Sequence, residues 1–416
     1  MKKSLFLIIS LPFLLFACSE KRKSCADLLQ GAADTTRIVT VACRYDSSQR
    51  YEVYLPGNYT LDKKWPVLLC FDPHADGRLP VKLFSSVAEK FGYIVAGSDN
   101  SANGVANIEY VVRTFYEDVT SRYSIDSTRI YAAGFSGGGR IAASLALSWS
   151  HIRGVISCSA GLPGFQPASG ARAFAITALA GDGDFNYSEV ESLPEQLKGT
   201  KFNVYTSIFH GTHAWPSREQ LSLALLFLHI KAMQEGIVAT DRQIISCLKN
   251  SLLDSVGYYH QRKNIADEFA WAERGASLLA GYKEANTFRK RVKKISSTPE
   301  FRKFLSEKEQ VLRMEEMLRM EYQKAFTEKD TSWWRNEADV LRTRLTESSD
   351  GLKKAMHERL LAYLSIMAYT YTNRSIQAGN LEAARHFVSI YGIIDPQNPD
   401  YLKFRKQLAE EKYIAR

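Results

Sequence analysis

Paired cysteines, long internal apolar runs and segregated blocks of one charge are all missing from this chain, and each absence removes a class of function. Of six cysteines in 416 residues, none stands at C-x-x-C spacing with another cysteine or with histidines, so structural zinc is not expected. Cys70 and Cys158 fall in apolar, strand-like runs and read as buried small hydrophobes. An export compartment would let Cys25 and Cys43 bridge, though nothing in their spacing demands it. Beyond the N-terminus no stretch is apolar enough to span a bilayer. The net charge is +9, from 54 Lys and Arg against 45 Asp and Glu, but the two signs are interspersed. No RNA- or DNA-binding signature is present, so nucleic acid is not expected as a partner. A solvated basic surface is the simpler reading, with attraction to an anionic lipid or polymer as the other. A hydrophobic share of 45% and a charged share of 24% describe a folded chain rather than a disordered one.

The N-terminus reads as an address rather than as fold. Lys2 and Lys3 precede an apolar run over residues 5–16, which closes on Leu15, Phe16, Ala17 and Cys18. This resembles a bacterial lipoprotein signal spanning residues 1–17, which implies cleavage before Cys18 and a lipid on that thiol. Phe16 is bulkier than the small residue usual there, and an ordinary secretory signal is the alternative. The expectation is a lipid-anchored envelope protein, periplasmic or surface-facing, with residues 18–35 as a polar tether.

From residue 36 to about 234, short apolar runs alternate with helical patterns. Strand-like segments are expected over 37–42, 49–55, 67–71, 93–97, 130–132, 155–158, 174–180 and 204–209. Helical spacing intervenes over 81–91, 105–123, 188–197 and 217–233, and Pro194 weakens the third of these. Such alternation implies an α/β fold with a doubly wound, mainly parallel sheet. Over residues 235–416 the strand pattern stops, glycine and proline become sparse, and long amphipathic stretches such as 284–295 and 301–326 imply an all-α domain. Gly379, Ala384 and Pro396 fall at the spacing of a tetratricopeptide repeat, but no upstream copies phase with them. An irregular helical domain is the equal alternative.

The segment most able to carry chemistry is Gly134-Phe135-Ser136-Gly137-Gly138, set between an expected strand and an expected helix. G-x-S-x-G in that context lets the backbone turn tightly and hold a serine hydroxyl above the sheet edge. The Gly137 N–H, at the helix start, would face a developing oxyanion. A serine needs a general base, and that base needs a carboxylate to orient it. Downstream candidates for the base are His151, His210 and His213; His151 follows the elbow helix on its wrong side, and the last two follow the strand ending at Phe209. Candidates for the acid are Asp182 and Asp184, which both follow the strand 174–180, with a turn residue bonding its own backbone as the other reading of Asp182. A second oxyanion donor is expected from the loop 71–77, through the main chain of His74 or Ala75, because Pro73 has no N–H. Asp72 and His74 as a metal pair lack a third ligand, so no metal and no organic cofactor is expected.

Residues 134–138, the G-x-x-D spacing of Gly181 to Asp184, and G-x-H-x-W-P over 211–216 together resemble the α/β-hydrolase superfamily, close to its secreted polyhydroxybutyrate-depolymerase and feruloyl-esterase-like branch. The likeness covers roughly residues 36–233. It implies the order nucleophile, acid, histidine, and so Ser136, Asp184 and His213 as a triad with Gly137 and His74 lining the oxyanion hole. The activity it implies is hydrolysis of a carboxylic ester, either a small molecule or an acyl or feruloyl group on a polysaccharide. The rivals are a prolyl-oligopeptidase-like serine peptidase, or a non-catalytic envelope scaffold that binds a protein partner through its helical domain.

Overall fold

Period-two alternation in the strands decides which side chains meet on either side of the sheet. In strand β3 (Trp65–Phe71), Val67, Leu69 and Phe71 join one apolar cluster, while Leu68 and Cys70 join another on the opposite face. The whole strand is buried, which is why it reads as a nearly unbroken apolar run. The computed structural model describes residues 32–162 and 173–414. The leader 1–17, Cys18, Cys25 and most of the tether lie outside the described residues.

The other strands are β1 (Val39–Ala42), β2 (Arg50–Tyr54), β4 (Ile94–Ser98), β5 (Ile125–Phe135), β6 (Ile152–Cys158), β7 (Ala175–Gly181) and β8 (Asn203–Phe209). They form one sheet in the order β1-β2-β4-β3-β5-β6-β7-β8. The pairs β1/β2 and β2/β4 are antiparallel and every later pair is parallel. The fold is therefore α/β with a mainly parallel sheet. Helices α1 (Arg78–Phe91) and α6 (Arg218–Gln234) cover one face. Helices α2 (Ile108–Arg122) and α3 (Gly137–Ser148) cover the other, with the short helices α4 (Tyr187–Glu191) and α5 (Leu193–Gln196) beside them. The expected helix 188–197 is thus two pieces broken at Ser192, with Pro194 in the first turn of the second, where a missing N–H costs nothing. Strand β5 runs longer than its apolar half predicts: its start pairs with β3 at Ile125 and Trp65, and Asp126 there accepts from the Thr128 N–H and the Arg129 guanidinium.

Only helices follow: α7 (Arg242–Gln261), α8 (Ile265–Leu278), α9 (Ala285–Ser296), α10 (Pro299–Glu328), α11 (Thr331–Glu347), α12 (Gly351–Gln377), α13 (Leu381–Ile394) and α14 (Pro399–Ile414). Ile244, Leu248, Ala272 and Phe288, from α7, α8 and α9, belong to the same apolar cluster as α1, α6 and one sheet face. Apolar packing thus runs without a break from the sheet into the first three of these helices. A separate cluster holds α10 to α14 together around Trp334, Leu360 and Tyr391. Among the described residues no helix is long and apolar enough to cross a membrane.

Cys70 and Cys158 are free and buried, as their surroundings implied. Cys43 is also a free buried thiol, so it does not bridge to Cys25; burial pushes its pKa up to about 11. Cys247 is the disulfide-bonded cysteine of the described set.

The antiparallel edge is fastened to the parallel part through a buried acid. Asp118 on α2 accepts from the Arg44 N–H at 2.8 Å, the Tyr51 hydroxyl at 2.7 Å and the Arg122 guanidinium at 2.8 Å. Burial would raise its carboxyl, but these donors outweigh that and hold it below the ordinary aspartate value. A depressed folded-state value means the stabilisation is present at neutral pH and lost as pH falls through that value. Asp118→Asn is expected to cost about 2–3 kcal/mol at pH 7 and to lose less than the wild type on acidification, read by urea unfolding at both pH values. Equal acid sensitivity of the two proteins would contradict this role.

Candidate active site

Because strands β3 to β8 run parallel, their C-terminal ends share one edge of the sheet, and three loops converge there. At the end of β5 the chain reverses into α3 within one residue. Ser136 carries that reversal at φ 52° and ψ −118°, a conformation costing about 1–3 kcal/mol for a residue other than glycine. Its N–H is held by the Cys158 carbonyl at 2.8 Å. The flanking glycines have a steric cause. A Cβ on Gly134 would lie 2.1 Å from the Gly138 oxygen, and one on Gly138 would lie 2.1 Å from the Phe71 oxygen. The turn closes only because both positions lack side chains.

His213 lies four residues beyond β8 and reaches back over the turn. Its Nε2 is 3.0 Å from Ser136 Oγ, and its Nδ1 is 2.8 Å from Asp184 Oδ1. With Nδ1–H donated to the carboxylate, Nε2 is left to accept the serine proton. Two aromatic rings fix the imidazole plane: Phe135 with its centroid at 4.7 Å and Phe185 at 4.1 Å. Asp184, three residues beyond β7, is fully buried, and its Oδ1 also accepts from the Asn186 N–H at 2.8 Å. Asn186 is itself anchored through Nδ2 to the Ser159 carbonyl at 2.8 Å. Ser136, His213 and Asp184 are thus one hydrogen-bonded relay.

Asp182 and His210 form a second pair beside it, pointing elsewhere. His210 Nδ1 is 2.6 Å from Asp182 Oδ2, and its Nε2 is 3.6 Å from Asp267 on α8. Asp182 also accepts from the Gly211 N–H at 3.1 Å. Burial would raise the Asp182 carboxyl, but His210 and Gly211 outweigh it and lower it. The hydrogen bond to Asp182 and then the Asp267 carboxylate push His210 up to about 10, which favours the imidazolium and weighs against a role as base. The alternative acid Asp182 is therefore bonded to His210 rather than to His213. His151 stacks with Tyr116 and Trp149, away from the serine turn.

The loop after β3 differs from expectation. The His74 N–H is bonded to Asp72 Oδ1 at 2.8 Å, and the Ala75 N–H to the Asp72 carbonyl at 3.0 Å. Both candidate second donors of the oxyanion hole are therefore satisfied within their own turn, His74 by the Asp72 side chain folding back and Ala75 by the Asp72 main-chain carbonyl. The His74 imidazole is largely exposed. Asp72 Oδ2 instead accepts from the Trp215 indole at 2.7 Å, tying this loop to the one that carries His213. That link gives Trp215 a polar task besides packing. Gly137 opens α3, and its N–H is one of the first-turn donors that no carbonyl within α3 can reach. A Cβ there would overlap Asn103 Oδ1, so the Asn103 carboxamide borders the same spot. Among the described residues no group of three or more His, Cys, Asp or Glu could hold a metal ion.

No family model matches the chain. No curated protein matches it either. Solved structures match over the sheet-bearing half. A ferulic acid esterase is 18% identical with a TM-score of 0.36, over 45% of this chain and 94% of its own. The fluorophosphonate-binding serine hydrolase F of Staphylococcus aureus is 14% identical with a TM-score of 0.36, over 45% and 94%. An acylaminoacyl peptidase of Pyrococcus horikoshii is 13% identical with a TM-score of 0.34, over 45% and 39%. At these values the likenesses speak to neither activity nor substrate.

The packing of the serine turn is testable. Gly138→Ala is expected to lower stability by about 2–4 kcal/mol, read as a fall in the urea midpoint. An unchanged midpoint would contradict the contact between Gly138 and the Phe71 carbonyl.

Proposed function

We propose that the chain is a serine hydrolase that cleaves carboxylic esters through an acyl-enzyme. The observation that carries this reading is the relay from Ser136 through His213 to the buried Asp184, 3.0 Å and 2.8 Å long, set on a strained serine. His213 Nε2 takes the proton from Ser136 Oγ as that oxygen bonds to the ester carbonyl carbon. Asp184 holds the imidazole in the required tautomer and stabilises the imidazolium. The Gly137 N–H stabilises the oxyanion, and His213 then returns the proton to the departing alcohol. Water, activated by the same imidazole, releases the acid. No step calls on a metal or an organic cofactor. Since the His74 and Ala75 N–H groups are bonded to Asp72, a second donor requires either that this turn opens or that a neighbouring group serves.

Lipidation at Cys18 would hold the enzyme at the cell envelope, where small or polysaccharide-linked esters are its substrates. The test is steady-state kinetics on aryl acetates and matched peptide anilides. Ser136→Ala and His213→Ala are each expected to lower kcat by at least about 1,000-fold, Asp184→Asn by about 1,000- to 10,000-fold, and Asp182→Asn by less than about 10-fold. An ester activity that survives Ser136→Ala would overturn the reading. Anilide cleavage at a kcat/KM matching that of the esters would make the enzyme a peptidase.

A further inference from the structure

The loop that carries Asp184 is held from outside the sheet. Its two bracing carbonyls, at Asp182 and Phe185, stand on either side of the carboxylate in sequence. Arg359 on α12 donates from Nη1 to the Asp182 carbonyl at 2.6 Å. Arg319 on α10 donates from Nη2 to the Phe185 carbonyl at 2.9 Å. The two guanidiniums share one acid: Glu315 accepts from Arg359 Nε at 2.8 Å and from Arg319 at 2.7 Å. The side chains of Arg359 and Glu315 are 4% and 3% exposed. The Arg359 guanidinium also lies over the Tyr187 ring, 4.7 Å from its centroid, at the far end of the same loop. Between the two anchored carbonyls the loop presses on α12 itself: a Cβ on Gly183 would come within 2.5 Å of Glu358 Oε2.

Two features make this more than general packing. Burying the Arg359–Glu315 ion pair, with the partly exposed Arg319 at its edge, is a poor way to gain stability, since apolar side chains of the same volume commonly do as well or better. What an Arg fork adds is direction, because its rigid plane fixes the atoms it binds. Here Nε and Nη2 of Arg359 clasp Glu315, which leaves Nη1 aimed at the Asp182 carbonyl in the backbone beside Asp184, and Phe185, whose carbonyl Arg319 holds, is the residue whose ring lies 4.1 Å from His213. We propose that Arg359, with Arg319 and their shared Glu315, is a positioning residue for the relay, so that seating of the helices α10 and α12 sets how well Asp184 orients His213. This rests on the serine-hydrolase reading. It makes the helical half a working part of the active site rather than an appendage.

The test uses the full chain, with Arg359→Met and Arg319→Met beside the wild type. Active sites are counted by fluorophosphonate titration, and kcat, KM and the pH profile of kcat are taken per active site on an aryl acetate. Displacing a catalytic group by about 1 Å can cost about 100-fold in rate. Arg359→Met is therefore expected to lower kcat by about 10- to 100-fold, with KM within about 3-fold and the midpoint of the basic form of His213 moved. Arg319→Met, which is more exposed and frees only one carbonyl, is expected to lower kcat by about 3- to 10-fold and serves if the first variant does not fold. Unchanged kcat and pH profile per active site, with only fewer active sites or a lower melting temperature, would overturn the proposal and leave the arginines a structural role. If the wild type hydrolyses no ester, the hydrolase reading fails first. The low-field Nδ1 proton resonance of His213 then decides the positioning claim, and its persistence unchanged in both variants would overturn it.

Discussion

A carboxylate with no access to water imposes the main constraint on this molecule. Asp184 must find donors inside the protein, because an uncompensated buried charge costs several kcal/mol. It finds the imidazole of His213 and the N–H of Asn186. The first of these fixes the loop after β8, and the second fixes the turn in which Asp184 itself sits. Parallel pairing of β5, β6, β7 and β8 brings those loops to the edge where β5 turns into α3, and the serine completes the line. Phe135 and Phe185 flank the imidazole and keep water from competing along its faces. Strain at Ser136, burial at Asp184 and stacking at His213 are thus one arrangement seen at three residues.

The same edge carries a near copy of that pairing with the opposite character. His210 and Asp182 stand only a few residues from His213 and Asp184, yet their surroundings separate them. His210 lies between the Asp182 and Asp267 carboxylates, which push its pKa up, whereas the His213 imidazole has one carboxylate and a hydroxyl. The outer pair joins β7 and β8 to α8 by charge. The inner pair can pass a proton. Two alike dyads at one sheet edge, one structural and one suited to chemistry, differ by what lies on the second ring nitrogen.

Much of the sheet and the heart of the site were legible in the chain, because local rules wrote them. Two-residue alternation in the strands and helical spacing between them decide the layers. Gly134 and Gly138 are required by backbone contacts within a few residues of Ser136 or with the neighbouring strand. Choosing Asp184 over Asp182 needed the resemblance as well as the spacing, since both follow β7 in a polar turn. The oxyanion loop differs from expectation for a physical reason: the Asp72 side chain captures the His74 N–H and the Asp72 main-chain carbonyl captures that of Ala75, the two groups the expectation assigned to substrate. The sequence left a Cys25–Cys43 bridge open, and the structure shows Cys43 as a free thiol among apolar side chains of the sheet. Arg359 left no trace at all, as its contact with Asp182 joins residues 177 positions apart and no local pattern marks a lone arginine on a long helix.

The central claim is that Ser136 is an activated nucleophile, and covalent trapping tests it most directly. The folded, signal-less protein would be treated with a fluorophosphonate, digested, and the adduct located by mass. A single phosphonyl group on Ser136, formed in wild type and absent when His213 is alanine, is the predicted result. A folded wild-type protein that takes up no label, or that carries it on another serine, would contradict the account.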